Sequence, residues 1–104
     1  MKKITTLLNA SRLKVETVRN SSAISVGANG GTAWGQVRIP SDVKPICIVG
    51  YYLDGGGGCS VYNMSLGQDS NGYYGSFALR NGQSTTNNVK ITAHVLCMVG
   101  GGSQ

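Results

Sequence analysis

Residues 88–99 read NVKITAHVLCMV, and their alternation decides the fold class of this 104-residue chain. One face of the predicted strand is apolar throughout, at Val89, Ile91, Ala93, Val95, Cys97 and Val99. This period of two is typical of a strand that lies over a hydrophobic core. The other face starts polar but ends on Leu96 and Met98. Because a second subunit is a good candidate to cover that apolar end, we expect Leu96 and Met98, with Tyr51, to form an oligomer interface.

Glycine-rich turns divide the preceding sequence into further strands. Asn71-Gly72 and Asn81-Gly82 flank the second of two such runs, and Asn-Gly readily adopts a type I′ hairpin turn. We therefore expect residues 59–67, 73–80 and 88–99 to form three consecutive antiparallel strands. Shorter strands are predicted at 23–26, 34–39 and 46–53, and the last of these is apolar on both faces, as in a strand buried on both sides. The sequence thus predicts an all-β domain of about six to eight strands.

Charge is scarce and unevenly placed. Charged residues make up 12% of the chain, about half the usual share, so uncharged polar groups or other subunits must cover the surface. Of the formal charge of +5, residues 1–19 hold +4, from five basic residues and one acidic residue. We interpret residues 1–20 as an N-terminal basic arm or linker, 21–99 as the domain and 100–104 as a flexible tail. The nearly neutral body argues against nucleic-acid binding.

The sequence offers no catalytic or cofactor motif. His94 is the single histidine and has no motif around it, so we predict no catalytic residues and no enzyme activity. The cysteines lack zinc spacing, and no cofactor or metal is expected. A Cys47–Cys97 bridge remains open, although a reduced pair is favoured. No apolar run is long enough to span a membrane, and the start, MKKITTLLNASRLK, is too broken for a signal peptide.

Aromatic and amide side chains near the turns suggest a binding role instead. Tyrosine and tryptophan faces beside amides suit sugar rings, which combine apolar C–H patches with hydroxyl groups. Arg80, like Arg38, either binds an anionic group or pairs with Asp42 or Asp69. The candidate ligand-binding residues are Trp34, Tyr52, Asp54, Tyr62, Asn71, Tyr73 and Arg80.

One stretch also resembles a known family. It runs from KPICIVGYYLDGGGG at residues 44–58 through VYN at 61–63 and ALRN at 78–81 to VKITAHVL at 89–96. Over residues 22–99 the chain resembles the C-terminal β-sandwich head or receptor-binding modules of tail-fibre and baseplate proteins from phages and prophages of Gram-positive bacteria. The matching positions are mainly packing residues, so no receptor contact is carried over.

The resemblance implies a small antiparallel, jelly-roll-like β-sandwich, often trimeric, at the end of a virion tail. It implies partners of two kinds, other tail proteins and a bacterial cell-surface carbohydrate, for a protein made in the bacterial cytoplasm. We therefore expect a self-assembling tail module that binds a host-surface glycan. Two alternatives stay open: a purely structural virion component docked through residues 1–20, and a polysaccharide hydrolase using Asp42, Asp54 or Asp69.

Overall fold

The computed structural model describes residues 12–99 of the chain. Residues 1–11, which hold most of the predicted arm, and the predicted tail at 100–104 lie outside the described residues. All regular structure in residues 12–99 is β-strand, and no helix in this range could cross a membrane. The seven strands are β1 (Arg12–Arg19), β2 (Ile24–Val26), β3 (Thr32–Arg38), β4 (Val43–Asp54), β5 (Cys59–Asp69), β6 (Gly72–Asn81) and β7 (Asn87–Val99).

The strands form two antiparallel sheets that pack face to face. In the first, here the β7 sheet, β7 pairs with β1 and β2 on one side and with β4 on the other. In the second, the β6 sheet, β6 lies between β3 and β5. The predicted all-β fold, a small antiparallel sandwich of six to eight strands, is therefore confirmed.

The core between the sheets is built on the alternation of β7. Its inward side chains from Val89 to Cys97 are fully buried, as predicted, and they face Phe77 and Leu79 of β6. Removing such branched and aromatic side chains from water stabilises the fold by about 1.5–3 kcal/mol each. Only one face of each sheet takes part, so the outer faces of both sheets remain available for contacts.

Residues 12–19, which the sequence analysis assigned to the arm, form β1 and belong to the sandwich. They pair with β7 in unbroken register from Arg12 opposite Val99 to Arg19 opposite Thr92. Val18 points into the core and is buried, while the alternate residues Leu13 and Val15 lie half-exposed on the outer face. The alternation of apolar and polar residues in this segment indicated a strand. Its basic composition nevertheless led to the prediction of an arm.

The prediction of three consecutive paired strands is wrong for the third strand. After β6 the chain crosses to the other sheet, and β7 pairs with none of the β6-sheet strands. Asn81 does not form a hairpin turn, because its side chain is buried and organises the crossover. The amide nitrogen of Asn81 donates to the carbonyls of Val26 at 3.1 Å and Thr85 at 2.8 Å. The Asn81 amide oxygen accepts from the N–H of Gln83 at 2.9 Å.

The β5–β6 hairpin is confirmed, with a turn different from the expected type I′. Asp69 pairs with Gly72, leaving Ser70 and Asn71 as the loop. The positive φ falls on Gly72 alone, at 112°, whereas a type I′ turn needs two consecutive positive values. The Asp69 carboxylate accepts the N–H of Asn71 at 2.9 Å, which is the local bond that favours Asp before a turn.

An ion pair ties this hairpin to β3. The guanidinium of Arg38 donates twice to the Asp69 carboxylate, at 2.6 and 2.9 Å. These bonds from Arg38 are the main cause that lowers the pKa of Asp69 from 3.8 to about 2, with the Asn71 N–H contributing. Pairing with a carboxylate also raises the pKa of Arg38. The predicted alternative, in which Arg38 pairs with Asp69, is therefore confirmed.

Strand β4 differs from its prediction because it is an edge strand. It pairs with β7 alone, so the apolar run at 46–53 is not buried on both sides. Cys47 is exposed on the outer face, opposite Leu96, whereas Cys97 points into the core, and all three cysteines are free. Burial raises the pKa of the Cys97 thiol. A Cys47–Cys97 bridge is therefore not formed, because the two thiols lie on opposite faces of the β7 sheet.

We predict that Asn81→Ala lowers the free energy of unfolding by roughly 2–3 kcal/mol, because it leaves buried carbonyl groups without donors. Urea unfolding followed by tryptophan fluorescence measures this change. The matched control is Asn88→Ala, since Asn88 is exposed at the start of β7 and should change stability by less than about 0.5 kcal/mol. Equal effects of the two substitutions would contradict the role given to Asn81.

We also predict that the Arg38–Asp69 pair adds a pH-dependent contribution to stability. Because the folded pKa of Asp69 lies below its ordinary value of 3.8, the contribution is complete above about pH 4 and disappears as the pH falls through about 2. Asp69→Asn should therefore lower the unfolding temperature at pH 7 and flatten its dependence between pH 4 and pH 2. Asp42→Asn, which alters a turn carboxylate outside this pair, should keep the wild-type slope.

Candidate functional site

The outer face of the β6 sheet brings together three of the predicted ligand-binding residues. Cross-strand register places Trp34 of β3 opposite Ala78 of β6, and Ala78 opposite Asn63 of β5. Tyr62 is the extra residue at the register shift between Val61 and Asn63. Arg80 lies two residues from Ala78 and therefore on the same face. Trp34, Tyr62 and Arg80 thus project from three adjacent strands of one sheet.

Two exposed aromatic side chains flank a small residue at the centre of this face. Trp34 is 57% exposed and Tyr62 is 55% exposed, whereas Ala78 between their strands is fully buried. Since strands in a sheet are spaced by about 4.8 Å, the two aromatic positions stand about 10 Å apart. Ala78 contributes only a methyl group, and the side chains around it cover that methyl group completely.

A pocket opens beside Trp34 at the free edge of β3. It has a volume of about 420 Å³ and is lined by Asn20, Ser21, Ser22, Ile24, Trp34, Gly35 and Gln36. The indole forms one apolar wall, and hydroxyl and amide groups from the β1–β2 connection and from Gln36 supply hydrogen-bonding partners. We call this set of residues the Trp34 pocket. It is a recess where an aromatic surface and several neutral polar groups converge.

Local packing fixes the geometry of the Trp34 pocket. The Asn20 side chain accepts from the N–H of Ile91 at 2.6 Å and donates to the carbonyl of Ser22, which holds the connection against β7. Gly35 lies between Trp34 and Gln36 and faces inward. A Cβ at Gly35 would stand 2.0 Å from Cδ1 of Ile24 and 2.7 Å from Cδ1 of Ile91. The missing side chain therefore lets Ile24 of β2 pack directly against the backbone of β3.

The two arginines near this face have different environments. Arg38 is held by Asp69, and its guanidinium carbon lies 5.4 Å from the centroid of the Tyr74 ring. Arg80 is exposed and forms no ion pair with any residue between 12 and 99. Its guanidinium lies beside Gly30, and its position in the strand is opposite Thr32 and Ser60. The face therefore has one guanidinium whose charge is not used by a neighbouring carboxylate.

The remaining predicted ligand residues lie elsewhere. Tyr73 points inward and is packed against the core, where it lines a second, mostly apolar cavity of about 290 Å³. Asn71 stands at the tip of the β5–β6 hairpin. Tyr52 and Asp54 are on β4 in the other sheet, and Asp54 accepts from Arg19 at 2.8 Å. The structure therefore does not bring these four residues to the Trp34 pocket.

The predicted oligomer residues are also separated. Leu96 and Met98 lie on the outer face of the β7 sheet, partly covered by the flanking strands β1 and β4. Tyr51 instead turns toward the inside of the sandwich, 39% exposed, with its ring edge-on to Phe77 at a centroid distance of 5.6 Å. The three residues do not form one continuous patch.

The polar half of the Trp34 pocket was missed by sequence reasoning. Asn20, Ser21 and Ser22 follow directly on β1, at the point that the sequence predicted as the boundary between arm and domain. Nothing in a sequence of small polar residues marks them as pocket-lining, because their position depends on β1 and β2 pairing with the same strand.

Two further observations bear on the chemistry of the site. Among the described residues, no group of three or more histidine, cysteine, aspartate or glutamate side chains is arranged to hold a metal ion. Comparison of the chain with protein-family models, with curated proteins and with solved structures gave no match.

Proposed function

We propose that this chain is a phage or prophage tail-fibre or baseplate module that self-associates and binds a host-surface glycan, without enzyme activity. The observation that carries the binding part is the Trp34 pocket, where an exposed indole stands beside a recess lined by amide and hydroxyl groups. The assignment to a virion tail rests on the resemblance over residues 22–99.

A sugar suits this pocket better than other ligand classes do. The C–H face of a pyranose ring packs on an indole, while its hydroxyls exchange hydrogen bonds with amides such as Gln36. A purely apolar ligand would displace water from the amide and hydroxyl groups around the recess without replacing its hydrogen bonds, which opposes binding. A highly charged phosphate ligand would need several positive charges. Among the described residues of this face, Arg80 supplies the one guanidinium that is not paired with a carboxylate.

The shape of the β6 sheet supports binding of more than one sugar ring. Tyr62 offers a second aromatic surface about 10 Å from Trp34 across the sheet. Both aromatic side chains stand on the outer face of the sheet, on either side of the covered Ala78, and Arg80 adds a positive charge to the same face. These features favour an oligosaccharide that lies across β3, β6 and β5, with an acidic group near Arg80.

A structural role without ligand binding is the second candidate. It is favoured by large apolar side chains that are exposed outside the Trp34 pocket, among them Ile46, Val49 and Tyr52 on β4. In that case the outer surfaces would contact other tail proteins, and the Trp34 pocket would have no ligand of its own.

We predict that Trp34→Ala reduces binding of the protein to its glycan at least about tenfold, because central aromatic contacts dominate such sites. The measurement is a glycan array on the wild type, followed by titration of the best glycan into each variant. Leu13→Ala is the matched control, since Leu13 is half-exposed on the other sheet and its loss should leave the affinity unchanged.

Tyr62→Ala should weaken binding of long oligosaccharides more than binding of a monosaccharide, because Tyr62 is reached only across the sheet. Absence of binding to any arrayed glycan and to host cells would contradict the glycan proposal and favour the structural role. Normal binding by a folded Trp34→Ala variant would place the site elsewhere.

A further inference from the structure

Strand β4 has a patch of exposed apolar side chains on its free edge. Ile46, Val49 and Tyr52 are 46%, 54% and 55% exposed. They are three of the nine large apolar residues that are exposed in the described part of the chain, and they fall within seven consecutive positions. We call these three residues the β4 patch. A long, apolar edge strand is a template for contact with another chain.

Strand β4 contains two β-bulges, and two residues of the β4 patch lie at them. Register with β7 shifts between Pro45 and Cys47 and again between Ile48 and Gly50, so Ile46 and Val49 are the extra residues. Such bulges increase the local twist and disturb a regular hydrogen-bonding edge. A partner on β4 is therefore held mainly by side-chain packing and not by an uninterrupted backbone ladder.

One charged residue lies at each end of the β4 patch, at an equal distance in sequence from Val49. From Pro45 to Leu53 the strand holds no charged residue, and it begins with Lys44 and ends with Asp54. When two copies of β4 run antiparallel about a two-fold axis at Val49, Lys44 of each copy meets Asp54 of the other. The same register sets Ile46 against Tyr52 and Val49 against its own equivalent. A parallel arrangement would instead place Lys44 against Lys44.

We propose that the β4 patch is a two-fold interface with a second copy of this chain, the two β4 strands running antiparallel and centred on Val49. A self-complementary patch is what a closed dimer requires, since each copy contributes the same surface. This inference rests on the self-association part of the proposed function, names a two-fold dimer where the resemblance implies a trimer, and is independent of what the Trp34 pocket binds.

The size of the patch is compatible with a weak dimer. Three half-exposed side chains, with their flanking residues, give an interface at the lower end of the size range for specific complexes. Interfaces of this size are typical of weak, transient association, so the dimer should form only as the protein concentration rises.

Sedimentation velocity from about 1 to 500 μM tests the proposal on the full chain. The wild type should shift from monomer to dimer across this range. Val49→Asp should remain monomeric throughout, because it places two like charges at the axis. Val15→Asp is the matched control, since Val15 is a 51% exposed valine on β1, which lies on the other side of β7, and it should dimerise as the wild type does.

Charge reversal provides a second test with variants that alter only exposed side chains. Lys44→Glu should weaken the dimer at least about fivefold, and adding Asp54→Lys should restore it, because the exchanged pair is re-formed between copies. The loss of the exposed Arg19–Asp54 pair within each copy has a small effect on folding.

Three results would overturn the two-fold interface: a wild type that stays monomeric at 500 μM, a trimer in place of a dimer, or a dimer dispersed by Val15→Asp and untouched by Val49→Asp. Glycan titration of the Val49→Asp monomer separates this proposal from the previous one. A monomer that still binds its glycan supports the Trp34 pocket, whereas a wild type that binds its glycan but stays monomeric overturns the two-fold interface alone.

Discussion

Pairing along β7 is the constraint on which the rest of the structure depends. This strand carries the fully buried row from Val89 to Cys97 and is also hydrogen-bonded to β1, β2 and β4. Its inner face therefore supplies five of the twelve buried residues of the core, and its two edges position all the remaining strands of its sheet. The Trp34 pocket follows from the same arrangement, because the β1–β2 connection that lines it is held where both strands meet β7. The β4 patch follows as well, since pairing with β7 on one side leaves the other edge of β4 free.

Local patterns in the sequence predicted where the strands lie better than they predicted which strands pair. Alternation located β7, and Asp69 to Gly72 marked the β5–β6 hairpin, because strand period and turn chemistry are encoded by neighbouring residues. Asn81-Gly82 carried the same hairpin signal but led to the other sheet. The reason lies 55 positions away, where the carbonyl of Val26 accepts a hydrogen bond from the Asn81 amide. A buried asparagine that joins distant segments is indistinguishable in sequence from one that forms a turn.

The binding face could be predicted in part for a similar reason. Tyrosine and tryptophan were recognised as candidates, but the sequence could not separate inner from outer positions. Tyr73 and Tyr74 are adjacent, and only sheet register shows that Tyr73 packs toward the core while Tyr74 stacks under Arg38. Likewise, the apolar run in β4 indicated burial, and the structure assigns half-exposed positions to four of its large side chains. A hydrophobic side chain prefers to leave water, and the surface that buries it can belong to the same chain or to another chain.

The two proposed surfaces lie on different sides of the sandwich and so do not compete. β4 borders β5, while β3, with the Trp34 pocket, borders β2 at the opposite side of the molecule. Contact between two copies through β4 therefore leaves both pockets open. Single sugar-binding sites of this shallow kind are weak, but two pockets on one particle raise the apparent affinity for a surface with many identical glycans, provided that both reach it at once. If both proposals hold, the apolar edge of β4 brings together two copies of a shallow pocket, and each copy then gains apparent affinity for a surface that carries many identical glycans.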